Sequence, residues 1–78
     1  MAQLRPPASD VGSVIRELRV ARELTQEELG RRAGLSMTYI SLVETGKRNP
    51  TISAVGRMLA AVNASWAEFG VLMDRAVP

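Results

Sequence analysis

The side chains in this chain best placed to do chemistry are hydroxyls (Thr38, Ser41), an amide (Gln26) and two neighbouring cations (Lys47, Arg48). None can act as a nucleophile unaided. A serine or threonine needs a base, and the chain has no histidine and a single lysine. There is no cysteine, so neither a disulfide framework nor a thiolate metal site can form. The usual zinc, haem and general-base ligands are missing, and no paired catalytic carboxylates or phosphate-cradling glycine loop are present. The sequence therefore predicts no enzyme, no metal and no cofactor. Three aromatic residues are too few for a platform that stacks single-stranded bases. What remains is recognition through hydrogen bonds and charge.

The charge is mild overall but unevenly spread. Ten Lys/Arg against eight Asp/Glu give net +2, and nine of the ten basic residues lie at or before Arg57. No apolar run approaches the ~20 residues of a membrane span, and no long apolar signal core opens the chain. The expectation is a cytoplasmic protein with no membrane partner. At 78 residues it holds one small domain, whose core needs well-formed helix packing, a partner chain, or both.

The elements that must position these residues start at Thr25. Its hydroxyl can cap a helix over about 26–33, and Glu28 can reach back to the Thr25 N–H to complete a capping box. Leu24 is placed to staple this helix. Leu29 and Ala33 share its inner face, and Gly34 suits the left-handed stop. Gly30 costs about 1 kcal/mol against alanine inside a helix, so a close approach of the following helix is expected there. Ser36 caps that short third helix, with Ile40 and Val43 on one face and Met37, Thr38, Ser41 and Leu42 largely on the other. Two short helices joined by a glycine turn make a helix-turn-helix whose second helix has a free outer face. Gln26 lies at a helix N-terminus, where phosphates are favoured. Lys47 and Arg48 project from the loop closed by Gly46 and Pro50, and fit phosphates on the flank of a groove.

Before this motif, residues 1–8 read as an arm. Pro6-Pro7 favours an extended segment, either a frayed tail or an arm that reaches a minor groove through Arg5. The first helix then starts near Ser9 or Asp10 and runs to about Glu23, with Val11, Val14, Ile15 and Leu18 as its buried stripe. Arg19 flanks the stripe, so its guanidinium is either solvated or partly buried against a carboxylate, for which Glu44 is the candidate. After the motif, Thr51 caps a fourth helix with Ile52, Val55, Met58, Leu59 and Val62 inward. Asn63 takes the left-handed position, and Ser65 caps a last helix from Trp66 to about Asp74. Phe69 can close the core. Trp66, Val71, Leu72 and Met73 are more apolar surface than one terminal helix can bury, which points to a self-associating face; the alternative is that Trp66 and Leu72 finish the core.

The run LTQEELGRRAGLSMTYISLVETGKRNPTISAV resembles the Cro/lambda-repressor-like helix-turn-helix family, also called the xenobiotic-response-element family. The resemblance rests on Thr25-Gln26-Glu27-Glu28-Leu29, Ala33-Gly34-Leu35-Ser36, Tyr39-Ile40-Ser41, Glu44 and Gly46-Lys47-Arg48-Asn49-Pro50, and covers about residues 11–72. It implies an all-α, five-helix DNA-binding domain spanning 9–78, with the third helix in the major groove and a C-terminal dimerisation helix. It implies base contacts by Ser36, Met37, Thr38, Ser41 and Leu42, phosphate contacts by Gln26, Tyr39, Lys47, Arg48 and Asn49, and an Arg19–Glu44 ion pair. The dimer interface would hold Trp66, Val71, Leu72 and Met73. Within the family, the short length, the TYIS run and the KRN loop look like controller proteins of restriction–modification systems.

Three positions depart from the family pattern. Glu23 stands where a glycine usually ends the first helix. Met37 replaces a polar or basic reader, and Leu42 is also apolar. Neither can make the bidentate bonds that distinguish guanine or adenine, though both can touch thymine methyls. Thr38 and Ser41 are left to read bases directly, with DNA shape carrying a sizeable part. The expected mechanism is a homodimer whose two third helices lie roughly 34 Å apart on a pseudo-palindromic double-stranded operator. With no sensor domain, regulation follows concentration, as a repressor or as an activator with RNA polymerase as a further partner. The rival reading is an antitoxin-type interaction module that binds a partner through the apolar C-terminal helix.

Overall fold

Four hydroxyl residues each open a helix in the computed structural model, which describes residues 7–76. The elements are α1 (Pro7–Ala21), α2 (Gln26–Ala33), α3 (Met37–Glu44), α4 (Ile52–Ala61) and α5 (Trp66–Ala76), an all-α fold with no strand among the described residues. Thr25 Oγ1 accepts from the Glu28 N–H at 3.0 Å and Ser36 Oγ from the Tyr39 N–H at 3.0 Å. Thr51 Oγ1 accepts from the Ala54 N–H at 3.0 Å and Ser65 Oγ from the Glu68 N–H at 2.9 Å. Each such cap contributes about 1 kcal/mol. The Glu28 carboxylate returns a bond from the Thr25 N–H at 2.8 Å, which closes the capping box.

The first four helices also stop alike. At each end an N–H reaches back five residues: Leu24 to Arg19 at 3.1 Å, Leu35 to Gly30 at 2.8 Å, Lys47 to Leu42 at 2.9 Å and Ala64 to Leu59 at 2.9 Å. The residue before each donor is left-handed, with φ of 58° at Glu23, 71° at Gly34, 76° at Gly46 and 56° at Asn63. This is the helix stop that glycine and asparagine favour. Glu23 alone makes it with a full side chain of poor left-handed propensity.

Two expectations are corrected. α1 begins at Pro7, upstream of Ser9 and Asp10 and inside the stretch expected to be an arm. A proline suits the first helical position because the N–H it lacks would have no partner there. The rest of that arm, with Arg5, lies outside the described residues. Ile52, expected on the inner stripe of α4, is 77% exposed. It sits at the first position of α4, and Ala54 takes a buried place behind it.

The core is built where the apolar stripes of α1 to α4 meet, from Val14, Ile15, Leu18, Leu24, Leu29, Ala33, Ile40, Val43, Ala54, Val55, Met58, Leu59 and Val62. A fully buried Leu, Ile or Met among them contributes about 1.5–3 kcal/mol. α5 buries no residue completely. Phe69, Leu72, Met73 and Ala76 line its inner side, half-covered against the core. Two exposed ion pairs hold it, Arg75–Glu17 at 3.6 Å and Arg22–Glu68 at 3.9 Å, each worth little. The Arg22 Nε also donates to the Val62 carbonyl at 2.9 Å, at the end of α4.

Two close backbone approaches fix the helix-turn-helix. A methyl group on Gly30 would lie 2.6 Å from the Leu35 carbonyl oxygen, so α2 touches the turn that precedes α3. A methyl group on Gly12 would collide with the Val43 carbonyl oxygen, so α1 crosses the end of α3 backbone against backbone. Substitutions at Glu23 and Gly12 should therefore move stability in opposite directions, read by urea denaturation. Glu23→Gly removes a left-handed side chain and is expected to stabilise by about 1 kcal/mol. Gly12→Ala overpacks a backbone contact and is expected to cost about 1–3 kcal/mol.

Candidate nucleic-acid interface

The outer face of α3 follows from its inner one. Ile40 and Val43 are completely buried, which turns the opposite side of a two-turn helix outward. Ser36, Met37 and Thr38 are exposed, Met37 by 53%, while Ser41 and Leu42 are half-buried. The five positions expected to read bases thus run along one helix from its cap to its last turn. Among the described residues no cavity is present, so the candidate site is a surface.

The flanking loop is fastened to the end of α3. The Leu42 carbonyl accepts from the Lys47 N–H at 2.9 Å, the Arg48 N–H at 3.2 Å and the Thr45 hydroxyl at 3.2 Å. The Thr45 hydroxyl also reaches the Ser41 carbonyl at 3.0 Å. Lys47, Arg48 and Asn49 are all exposed on this loop. Arg48 folds back so that its guanidinium carbon lies 5.4 Å from the centroid of the Tyr39 ring. Tyr39 itself is half-buried against the core.

An ion-pair network is built on Glu44, the last residue of α3. Arg19 Nε donates to Glu44 Oε2 at 2.7 Å, and its Nη2 donates to Oε1 at 3.0 Å. These side chains are 12% and 2% exposed. Arg19 Nη1 donates to the Leu24 carbonyl at 2.7 Å. The Gln26 amide donates to Glu44 Oε1 at 3.0 Å, so this residue is oriented by α3 and half-buried at the start of α2. Nearby, the Thr25 backbone N–H, and then the Thr25 side chain, hold the Glu28 carboxyl below its ordinary value.

The four residues expected at a dimer interface divide into two pairs. Trp66 and Val71 are 51% and 59% exposed, Val71 on the side of α5 away from the core. Leu72 and Met73 lie on its inner side, half-buried against the core. The Trp66 ring meets Phe69 edge-on at 5.9 Å, and its far edge would lie 3.3 Å from a methyl group on Gly56.

Sequence reasoning missed four features. Gly12 carries the same signal as Gly30, a glycine inside a helix. The Thr45 hydroxyl bonds follow the local reach of a threonine to carbonyls three and four residues back, whereas the Arg48–Tyr39 contact and the Arg22 bond to Val62 left no local pattern to find.

Comparison with known proteins places this geometry. The sequence model of a family described as a helix-turn-helix domain matches residues 10–72. An uncharacterised helix-turn-helix-type transcriptional regulator, y4dJ of Sinorhizobium fredii, is 41% identical over 58 residues, which cover 74% of this chain and 75% of that protein. The crystal structure of the restriction–modification controller protein C.Esp1396I superposes with a TM-score of 0.85 at 30% identity, covering 88% of this chain and 91% of that one. The same controller has been solved as a tetramer in complex with its natural 35 base-pair operator. The clp gene regulator ClgR from Corynebacterium glutamicum superposes with a TM-score of 0.91 over the full length of both chains, and at 20% identity it shows the shared fold alone.

The network around Glu44 yields a stability test. Glu44→Leu leaves the Arg19 guanidinium partly buried without its carboxylate and is expected to cost about 3–5 kcal/mol. Adding Arg19→Met to that variant should recover most of the loss, because an apolar pair replaces a buried charge. Urea denaturation of the two single variants and the double variant reads the coupling directly.

Proposed function

The chain belongs to the helix-turn-helix domain family and is a DNA-binding transcriptional regulator, and from that premise we propose that it acts as a homodimer on a pseudo-palindromic operator. The observation that carries this reading is the outer face of α3, with Met37 and Thr38 exposed, beside a rigidly fastened loop that bears Lys47 and Arg48. α3 enters the major groove with Ser36, Met37, Thr38, Ser41 and Leu42 toward base edges. Thr38 and Ser41 supply the hydrogen bonds, and Met37 and Leu42 supply apolar contact with thymine methyls. Gln26, Lys47, Arg48 and Asn49 contact phosphates on either side and set the register, with the Tyr39 ring beside Arg48. With few base-specific donors on the face, sequence-dependent DNA shape contributes a large share of the specificity.

One domain, which begins with α1 at Pro7 rather than at residue 9, carries both the reading face and the means of pairing. The exposed parts of Trp66 and Val71 meet their counterparts in a second copy, with Leu72 and Met73 at the edge of that contact. Two reading faces one DNA turn apart, roughly 34 Å, then match two half-sites. The likeness to C.Esp1396I supports a controller role in a restriction–modification system, in which the protein regulates its own gene by its concentration.

Replacing Thr38 and Ser41 together with alanine is expected to weaken binding to the DNA upstream of the gene by about 10- to 100-fold, at about 1 kcal/mol for each lost hydrogen bond and more where a base is left unpaired. Fluorescence anisotropy against that DNA and a scrambled duplex measures it, and unchanged affinity with unchanged preference would sink the assignment of α3. For the dimer, Val71→Asp places a charge on the outward side of α5 without touching the core. Light scattering after size exclusion should show the wild type as a dimer and this variant as a monomer. A monomeric wild type at micromolar concentration would remove the homodimer.

A further inference from the structure

We propose that Tyr39 is a positioning residue for Arg48, and that its ring, not its hydroxyl, is what it contributes to DNA binding. The inference rests on the DNA-binding reading above and concerns how one cation of that surface is made ready. Lys47 and Arg48 are neighbours on the same exposed loop, yet they are held differently. The backbone of Arg48 is fixed by its N–H bond to the Leu42 carbonyl at 3.2 Å. Its guanidinium is fixed over the Tyr39 ring at 5.4 Å. No ion pair or ring holds the Lys47 side chain among the described residues.

The kind of contact matters as much as its existence. A carboxylate partner would neutralise Arg48 and would have to be displaced by a phosphate. An aromatic face attracts the cation through its quadrupole and leaves the charge in place, with N–H donors open at the edge of the guanidinium plane. Among the described residues no carboxylate pairs with Arg48. The long Arg side chain is thus ordered before binding, so less rotamer freedom is lost when it meets an anion. The platform is rigid in turn. Tyr39 lies in the first turn of α3, its N–H bonded to the Ser36 cap at 3.0 Å, and its side chain is half-buried against the core. The cation is therefore held in a fixed place relative to the recognition helix, and the two meet DNA as one body.

The test is a double-variant cycle on the full chain, with binding to the DNA upstream of its gene measured over a range of salt. Tyr39→Phe keeps the ring and is expected to bind as the wild type does. Tyr39→Leu is expected to weaken binding about two- to fivefold, the worth of an exposed cation–π contact. In an Arg48→Ala background the same Tyr39→Leu change should have no further effect. Arg48→Ala should also reduce the slope of log affinity against log salt by about 0.9, one phosphate contact, while Tyr39→Leu leaves the slope unchanged. A loss in Tyr39→Phe equal to that in Tyr39→Leu would overturn the proposal, because the hydroxyl would then be the contact. An undiminished effect of Tyr39→Leu without Arg48 would overturn it as well. NMR of the free wild-type protein supplies a readout that needs neither DNA nor a variant: the Arg48 side-chain protons should carry an upfield ring-current shift. Its absence would overturn the positioning role even if DNA binds. Its presence in a protein that binds no DNA specifically would leave the contact standing and remove its use.

Discussion

The placement of the recognition helix depends on a carboxylate in an unfavourable position. Glu44 is the last residue of α3, where the helix dipole disfavours negative charge. Its side chain is almost fully out of water, where an isolated charge costs several kcal/mol. It is stable there because three donors converge on it, two from the Arg19 guanidinium and one from the Gln26 amide. Those donors come from the end of α1 and the start of α2. One buried anion therefore ties three helices together at one end of the candidate surface, and the angle at which α3 presents its outer face is set partly by this network. The cross-over of α1 on α3 at Gly12, with no room for a methyl group, sets the rest.

Two residues before Glu44, in the same last turn, the Leu42 carbonyl accepts three donors from the segment beyond α3. Cations on an exposed loop are ordinarily mobile and contribute little beyond average charge. Here the backbone carrying Lys47 and Arg48 is an extension of the helix itself, so the charged flank and the reading face keep a fixed separation. This compensates for a face of modest polarity. On the proposed reading, Met37 and Leu42 occupy positions where hydrogen-bonding side chains would give base discrimination, so accurate placement on the DNA backbone carries more of the specificity.

Much of this arrangement was legible because helix starts and stops are local. Thr25, Ser36, Thr51 and Ser65 each cap a group three residues away, and Gly34, Gly46 and Asn63 each adopt the left-handed stop that their chemistry favours. The departure at Glu23 was equally visible: the sequence lacks a glycine there, and the backbone takes φ 58° regardless, at the turn where the Leu24 N–H reaches back to the Arg19 carbonyl. Helical period also separated the inward Ile40 and Val43 from the outward Met37 and Thr38. The same period failed at Ile52, whose phase matches the buried stripe but whose place at the first position of α4 leaves it 77% exposed. At α5 the expected surplus of apolar surface is only partly real: Leu72 and Met73 pack on the core, while Val71 and half of Trp66 stay exposed.

The sequence alone determined the five helices, most of their boundaries within a residue or two (the start of α1 apart) and the all-α class, since each rests on interactions inside one or two helical turns. It also directed the expectation toward recognition by hydrogen bonds and charge, because histidine and cysteine are missing. Only the tertiary structure decided what sits against what: Gly12 on the Val43 carbonyl, Arg22 on the Val62 carbonyl forty residues away, Arg48 over Tyr39, and the split of α5 between core and solvent. Those contacts join segments far apart in the chain. Their existence depends on helix crossing angles and on how much surface a small core leaves uncovered, and neither is encoded in any short stretch of residues.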